Sequence, residues 1–210
     1  FHRLALRHID AFHRGQQRIA AALNASSARE IVFTRNITGA INLVATIHNM
    51  RTAGMTWMRL PLFVWTLEIY AALLIVVLPA LSVGLTMLLT DRAGLTHFFL
   101  PAEGGDAVLY QHVFWFFGHP EVYIMILPAM GIVSEVIPVF ARKPIFGYKA
   151  IAFSTVAIGF YSLLVWGHHM FTVGLPVGLQ VWFMIAPLTI AVPAGVKIFN
   201  WIATTWRGDL

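Results

Sequence analysis

Four long apolar segments limit the folds open to this chain more than any other feature of it. The segments are residues 61–90, 107–140, 150–172 and 181–204. Each exceeds the ~20 residues that an α-helix needs to cross a bilayer. Their only charged residues are Glu68, Glu121, Glu135 and Lys197. A shorter apolar stretch, 37–50, has the character of the end of another span. The sequence therefore predicts an all-α, polytopic transmembrane helix bundle with four full spans and part of a fifth.

Composition excludes the main soluble classes. Charged residues make up 11% of the chain and hydrophobic residues 59%, whereas a soluble domain carries about 25% charged residues. An ordinary soluble enzyme and a disordered regulator are therefore both excluded. The chain has no cysteine, which rules out disulfide scaffolds, thiolate metal sites and cysteine nucleophiles.

The connecting loops alternate in charge. Loop 51–60 has two arginines, and loop 141–149 has three basic residues and no acid. Loop 91–106 has one arginine and three acids, and loop 173–180 has no charge. Basic loops stay on the cytoplasmic side of a membrane, so we expect 51–60 and 141–149 on the inner side. The net charge of +5 thus largely reflects the orientation of the loops across the membrane. It predicts contact with a lipid bilayer and no nucleic-acid partner.

Three histidines lie at comparable depth on adjacent predicted spans. His119 and Tyr123 share one helix face because they are four residues apart. His168 and His169 lie in the outer half of the next span, which runs antiparallel to the first. Imidazole suits copper, zinc or iron, so the pattern favours a three-imidazole metal site. A hydrogen-bonded His–Tyr pair with two interfacial histidines is the alternative.

Two charged residues deep in the spans are candidates for proton transfer. Glu121 lies near the histidines in the middle of the membrane, and Lys197 lies in the inner half of its span. Ionisable groups in hydrocarbon are costly and are functional candidates for that reason. The alternative for Lys197 is a lysine that snorkels to the inner headgroups. We expect Glu68 and Glu135 to be interfacial and His97 and His112 to be surface residues.

Residues 1–36 form a separate segment of different character. They contain a surplus of arginine and no apolar run of membrane length. Residues 16–30 suit a helix on a lipid surface, or they form a tail without specific function.

Several motifs, in order, resemble subunit I of the haem–copper oxidases. The strongest are WFFGHPEVY at 115–123 and VWGHHMFTVG at 165–174. The others are MLLTDR at 87–92, YQH at 110–112, KPIFGY at 143–148 and KIFNWIAT at 197–204. The resemblance implies that residues 37–210 are an internal fragment of that subunit. In the family's order they run from the end of its fourth helix through its eighth.

The resemblance implies a role for each candidate residue. His119, His168 and His169 match the ligands of the copper that faces the high-spin haem. Tyr123 matches the tyrosine cross-linked to the first of these histidines, which supplies an electron and a proton when the O–O bond breaks. Glu121 matches the glutamate that relays protons to the centre and the pump, and Lys197 the lysine of a second proton path.

The resemblance also implies the complete enzyme. It is a terminal respiratory oxidase that reduces O2 to water and pumps protons, with one copper and two haems in this subunit. Its partners are a dicopper subunit II, subunit III, and cytochrome c or quinol as electron donor. A bacterial plasma membrane is a better match than the mitochondrial inner membrane. We expect the haem-ligating histidines outside this piece, so that the fragment alone is inactive.

Two departures and three rival functions stay open at this stage. Ala194 stands where the family has threonine, three residues before the lysine. Residues 1–35 do not resemble the family's upstream helix and suggest a frame error or a divergent start. The rivals are a nitric oxide reductase, which lacks the tyrosine, a transporter or channel gated by Glu121 and Lys197, and a non-functional truncation.

Overall fold

A computed structural model describes residues 37–209, and this part of the chain is built from helices alone. Its five α-helices are α1 (Ile37–Asn49), α2 (Leu62–Arg92), α3 (Ala107–Phe140), α4 (Tyr148–Ser162) and α5 (Val177–Thr205). Four short 3-10 helices lie between them: Trp57–Arg59, Pro101–Glu103, Trp166–His169 and Phe171–Val173. The helical class is confirmed. The predictions for residues 1–36 concern a segment outside the described residues.

Three of the helices are long and apolar enough to cross a membrane: α2, α3 and α5. They correspond to the predicted spans 61–90, 107–140 and 181–204. Proline precedes α2 at Pro61 and α5 at Pro176, where its fixed φ starts a helix without loss of a needed donor. Asp106 caps α3, because its carboxylate accepts a hydrogen bond from the Val108 amide at 2.8 Å.

The fourth predicted span, 150–172, is not one continuous helix, so the count of four full spans is not reproduced. Helix α4 has 15 residues, which is about 22 Å at 1.5 Å per residue and short of the ~30 Å hydrocarbon core. Its last turn tightens, with Leu163 N donating to Phe160 O and Leu164 N to Tyr161 O. The chain then continues in two 3-10 turns. Hydropathy along the sequence does not indicate this change from α-helix to 3-10 helix.

The loops of like charge lie at the same end of the bundle. Helices α2 and α3 are antiparallel, since Gly131 packs against Phe63 whereas Gly84 packs against Tyr110. At one end the Tyr148 hydroxyl donates to Leu60 O at 2.6 Å, which joins loop 51–60 to loop 141–149. We call this the basic end of the bundle.

The outer surface of the bundle is apolar. Large side chains such as those of Leu89, Val139, Val192 and Phe199 are each more than two-thirds exposed. Water would not favour so much exposed hydrocarbon, whereas lipid would. Together with the three long apolar helices, this surface indicates an integral membrane protein.

Candidate metal centre

Helix α3 and the 3-10 turn Trp166–His169 bring three histidines together. One ring nitrogen from each of His119, His168 and His169 lies within 4.8 Å of the others. His119 Nδ1 is 3.1 Å from His169 Nε2, and the His119 ring centroid is 4.6 Å from that of His168. The structure thus places side by side the three residues that the sequence analysis singled out as metal ligands.

The interruption of α4 is what allows two consecutive histidines to face one point. In a regular α-helix neighbouring side chains diverge by ~100°, so the sequence argument requires a local distortion. The structure provides one, because His168 and His169 lie in a four-residue 3-10 turn. Their ring centroids are 4.2 Å apart with an interplanar angle of 37°.

A tryptophan–histidine contact fastens this turn to α3. Trp166 Nε1 donates a hydrogen bond to His112 Nδ1 at 3.2 Å, and the two rings meet edge to face. His112 is half-buried, and its imidazole accepts from the residue that positions the two histidines, a contact that the expectation of an ordinary surface residue did not include. The motif YQH contained this residue, but nothing in the sequence indicates its partner.

We predict that the variant His112→Leu weakens metal binding at the triad without preventing folding of the bundle. The substitution removes the imidazole that accepts from the Trp166 N–H. The turn Trp166–His169 then loses this contact with α3. Groups that orient metal ligands typically contribute a factor of about 10–100 in affinity. The check is copper retained by the purified protein against a graded chelator, compared with the variant His97→Leu. His97 lies in loop 91–106 and pairs with Glu103. Equal retention in both variants would contradict the prediction.

The donor set fits a metal ion. Within the described residues, His119 Nε2 and His168 Nδ1 are buried and have no hydrogen-bond partner. A buried polar atom left without a partner costs about 1–3 kcal/mol, so the described residues alone leave these two rings incompletely satisfied. Neutral imidazole is a good ligand for copper, zinc and iron.

An indole ring fixes the orientation of the most exposed of the three histidines. Trp115 stacks on His169 with centroids 3.8 Å apart and an interplanar angle of 6°. Trp115 lies one turn before His119 on α3, so the same helix supplies one ring of the triad and the support for another. The stack holds the His169 imidazole in a plane that leaves Nε2 beside His119.

Tyr123 lies against the triad, whereas Glu121 does not contact it in the described structure. The Tyr123 ring centroid is 4.9 Å from that of His119, one turn along α3. Glu121 is half-buried and lies about 200° around the helix from His119, at the ~100° per residue of an α-helix. The predicted i,i+4 pairing of His119 and Tyr123 is thus observed.

Lys197 is fully buried, with no exposed surface. Its ammonium nitrogen has no hydrogen-bond partner among residues 37–209. A snorkelling lysine would place that nitrogen at the surface, so the structure speaks against this alternative. Pro193, one turn earlier on α5, is buried on the same face, and Ala194 offers no hydroxyl nearby.

The two remaining acids within the spans are not simply interfacial. Glu68 is 9% exposed and contacts His48 on α1. Glu135 accepts a hydrogen bond from the Phe63 amide in the first turn of α2 at 3.2 Å. Glu68 thus lies near a span end, as expected, but neighbouring parts of the protein cover it. No signal in the sequence pairs it with His48, which lies 20 residues earlier.

The comparisons with known proteins agree on one family. Residues 28–210 match the family model described as Cytochrome C and Quinol oxidase polypeptide I. The chain is 55% identical over 175 residues to cytochrome c oxidase subunit 1 of Cereibacter sphaeroides, which is 83% of this chain and 31% of that protein. It is 55% identical over 170 residues to cytochrome c oxidase subunit 1 of Bacillus subtilis (strain 168), covering 81% of this chain and 27% of the other.

A third relative is similar to about the same degree. Over 180 residues the chain is 51% identical to cytochrome c oxidase subunit 1 of Thermostichus vulcanus, covering 86% of this chain and 33% of that protein. The chain therefore spans about a third or less of the length of these relatives.

Proposed function

The chain belongs to the family of cytochrome c and quinol oxidase polypeptide I, and on that premise we propose that it forms part of the catalytic subunit of a terminal respiratory oxidase. The complete enzyme reduces O2 to water at a haem–copper centre and couples this reaction to proton translocation. The observation that carries the proposal is the triad of His119, His168 and His169, with its two unpaired buried nitrogens.

The triad would hold copper. A redox-active copper would supply the electron chemistry that O2 reduction needs at this point of the bundle. The chain's own contribution is to keep three imidazoles convergent and neutral, as metal ligands must be. Trp115 and the Trp166–His112 contact hold the rings in place.

Tyr123 is proposed as the proton donor beside the metal. Its ring is packed against His119, so its hydroxyl lies on the same face of α3 as the first metal ligand. A phenol held one helical turn from the site of O–O cleavage can deliver a proton from Oη without long-range movement. This placement favours an oxidase over a nitric oxide reductase, the branch that lacks the tyrosine.

Glu121 and Lys197 are proposed as proton carriers on two separate routes. A transporter gated by these charges would leave the histidine triad without a role. Lys197 is buried without a hydrogen-bond partner among the described residues. Burial of such a group is costly, and this cost is expected where the group must bind and release protons. Glu121 lies two residues from a proposed copper ligand and is half-buried.

The remaining features of the complete enzyme are also proposals. They are two haems, a dicopper subunit II, subunit III, and cytochrome c or quinol as donor, in a bacterial plasma membrane. The described histidines outside the triad each contact another side chain, so we assign none of them to haem iron. We further propose that α4 and the 3-10 turns after it cross the membrane together, with loops 51–60 and 141–149 on the inner side.

The variant Glu121→Gln tests the proton-carrier assignment. In the full-length subunit, assembled with its partners, we expect copper content to be unchanged and O2 consumption to fall at least about tenfold, which is a barrier increase of ~1.4 kcal/mol. Glutamine keeps the size of the side chain but cannot carry a proton. Copper by elemental analysis and O2 uptake with an electrode are the measurements. Glu135→Gln is the matched control, and normal turnover in Glu121→Gln would refute the assignment.

A further inference from the structure

A buried acid and a histidine join α1 to α2 near the basic end of the bundle. His48 Nε2 lies 2.8 Å from Glu68 Oε1. The Glu68 side chain is 12% exposed and that of His48 is 49% exposed. The second carboxylate oxygen, Glu68 Oε2, is buried and has no hydrogen-bond partner among the described residues. This pair lies on helices that carry neither the metal ligands nor the proposed proton carriers.

The two side chains differ in how far they are exposed. His48 is in the last turn of α1, and about half of its imidazole is open at the basic end. Glu68 is in the second turn of α2 and is enclosed by packed helices. A negative carboxylate in such a place is costly unless a positive charge or a proton neutralises it. Imidazole is the side chain that exchanges protons with water near neutral pH.

We propose that His48 and Glu68 together form a proton-binding site that takes up one proton from the aqueous phase at the basic end. The exposed edge of His48 is the point of entry, and the 2.8 Å contact with Glu68 Oε1 shares the proton with the carboxylate. The bound proton cancels the charge of the buried acid. No electron transfer or further ligand is involved, and the site is separate from Glu121 and Lys197.

The other charged and titratable groups around the pair have contacts of their own. Arg51 donates to Ile47 O at 2.8 Å and lies over the Trp57 ring, 4.5 Å from its centroid. Trp57 in turn contacts the edge of His48, with centroids 4.8 Å apart.

Four more charged or titratable groups lie on elements at the basic end of the bundle. They are Arg59 on the inner loop, Tyr70 on α2, Glu135 on α3 and Tyr148 on α4. Arg59 donates to Gly54 O, Glu135 accepts from the Phe63 amide, and Tyr148 donates to Leu60 O. Among the ion pairs of residues 37–209, the one that Glu68 forms is with His48. We therefore assign the proton to this pair.

The test is infrared difference spectroscopy of the full-length subunit in its assembled complex, recorded between mildly acidic and mildly alkaline buffer. We expect the variant Glu68→Gln to lose the pH-dependent signal of one carboxyl group. The variant His48→Gln keeps the carboxyl but removes its partner, so that signal should move in frequency. Glu135→Gln, which removes an acid of similar depth, should leave the signal in place.

Difference spectra of both Glu68→Gln and His48→Gln that superimpose on the wild type would overturn the proposal. If Glu68→Gln does not assemble, His48→Gln decides, because half of its side chain is exposed and its loss leaves packing largely intact. The readout does not depend on copper or on O2 consumption. Failure of this proposal is thus distinguishable from failure of the proposed oxidase function.

Discussion

The variant His168→Ala is expected to lose the metal. In the full-length subunit with its partners, the complex should lose the one copper ion proposed for the triad and keep the copper of subunit II. O2 consumption should fall by roughly a thousandfold, a barrier increase of ~4 kcal/mol. The reason is geometric: His168 supplies one of the three ring nitrogens that lie within 4.8 Å of one another. Without His168 only two imidazoles remain. They are too few to hold the copper while one coordination position stays open for the substrate.

The matched control for this variant is His97→Ala. His97 lies in loop 91–106 and pairs with Glu103 at 2.9 Å, away from the triad. The His97→Ala variant should keep both its copper content and its rate of O2 consumption. Elemental analysis measures the loss as the difference in copper per complex between the variant and the wild type, since the copper of subunit II is common to both. Normal copper content in His168→Ala would contradict the site assignment, even if turnover fell for another reason.

The variant Lys197→Met is expected to be more stable and much less active. Lys197 is fully buried and its ammonium nitrogen has no partner in the described structure. Removing an unsatisfied buried polar group recovers about 1–3 kcal/mol, and methionine fills nearly the same space without charge. Turnover should fall about a hundredfold, the lower range of what a positioned proton-transfer group contributes.

Two measurements separate a functional lysine from a structural one. Thermal unfolding of the solubilised complex should show a higher midpoint for Lys197→Met, whereas O2 uptake should fall with copper content unchanged. Lys149→Met is the control, because Lys149 is exposed at the basic end; it should change neither quantity by much. A drop in stability, or unchanged turnover, would show that Lys197 is not a buried proton carrier.

Much of the site was predictable because its members are close in sequence. His119 and Tyr123 are one helical turn apart, and any α-helix through both residues places them together. His168 and His169 are neighbours, and the motifs around them point to one family. The family is confirmed by the match over residues 28–210. The role of each residue stays a prediction that the variants above address.

The contacts that cross between helices were not predictable. His112 and Trp166 are 54 residues apart, and His48 and Glu68 are 20 apart. Nothing in the periodicity of either segment indicates which faces of two helices will meet. The same limit explains why the partners of Glu68 and His112 were not foreseen: each partner lies on another helix.

The sequence by itself determined that this chain is helical and suited to a bilayer, because long uncharged runs leave the backbone no other way to satisfy its hydrogen bonds in lipid. It also determined the family, through motifs that are local in the chain. Only the tertiary structure decided where α4 ends and how the turn after it directs two histidines at a third. It alone showed that Lys197 and Glu68 are buried. Burial and convergence depend on the packing of several helices, and a residue's own segment does not encode what lies opposite it.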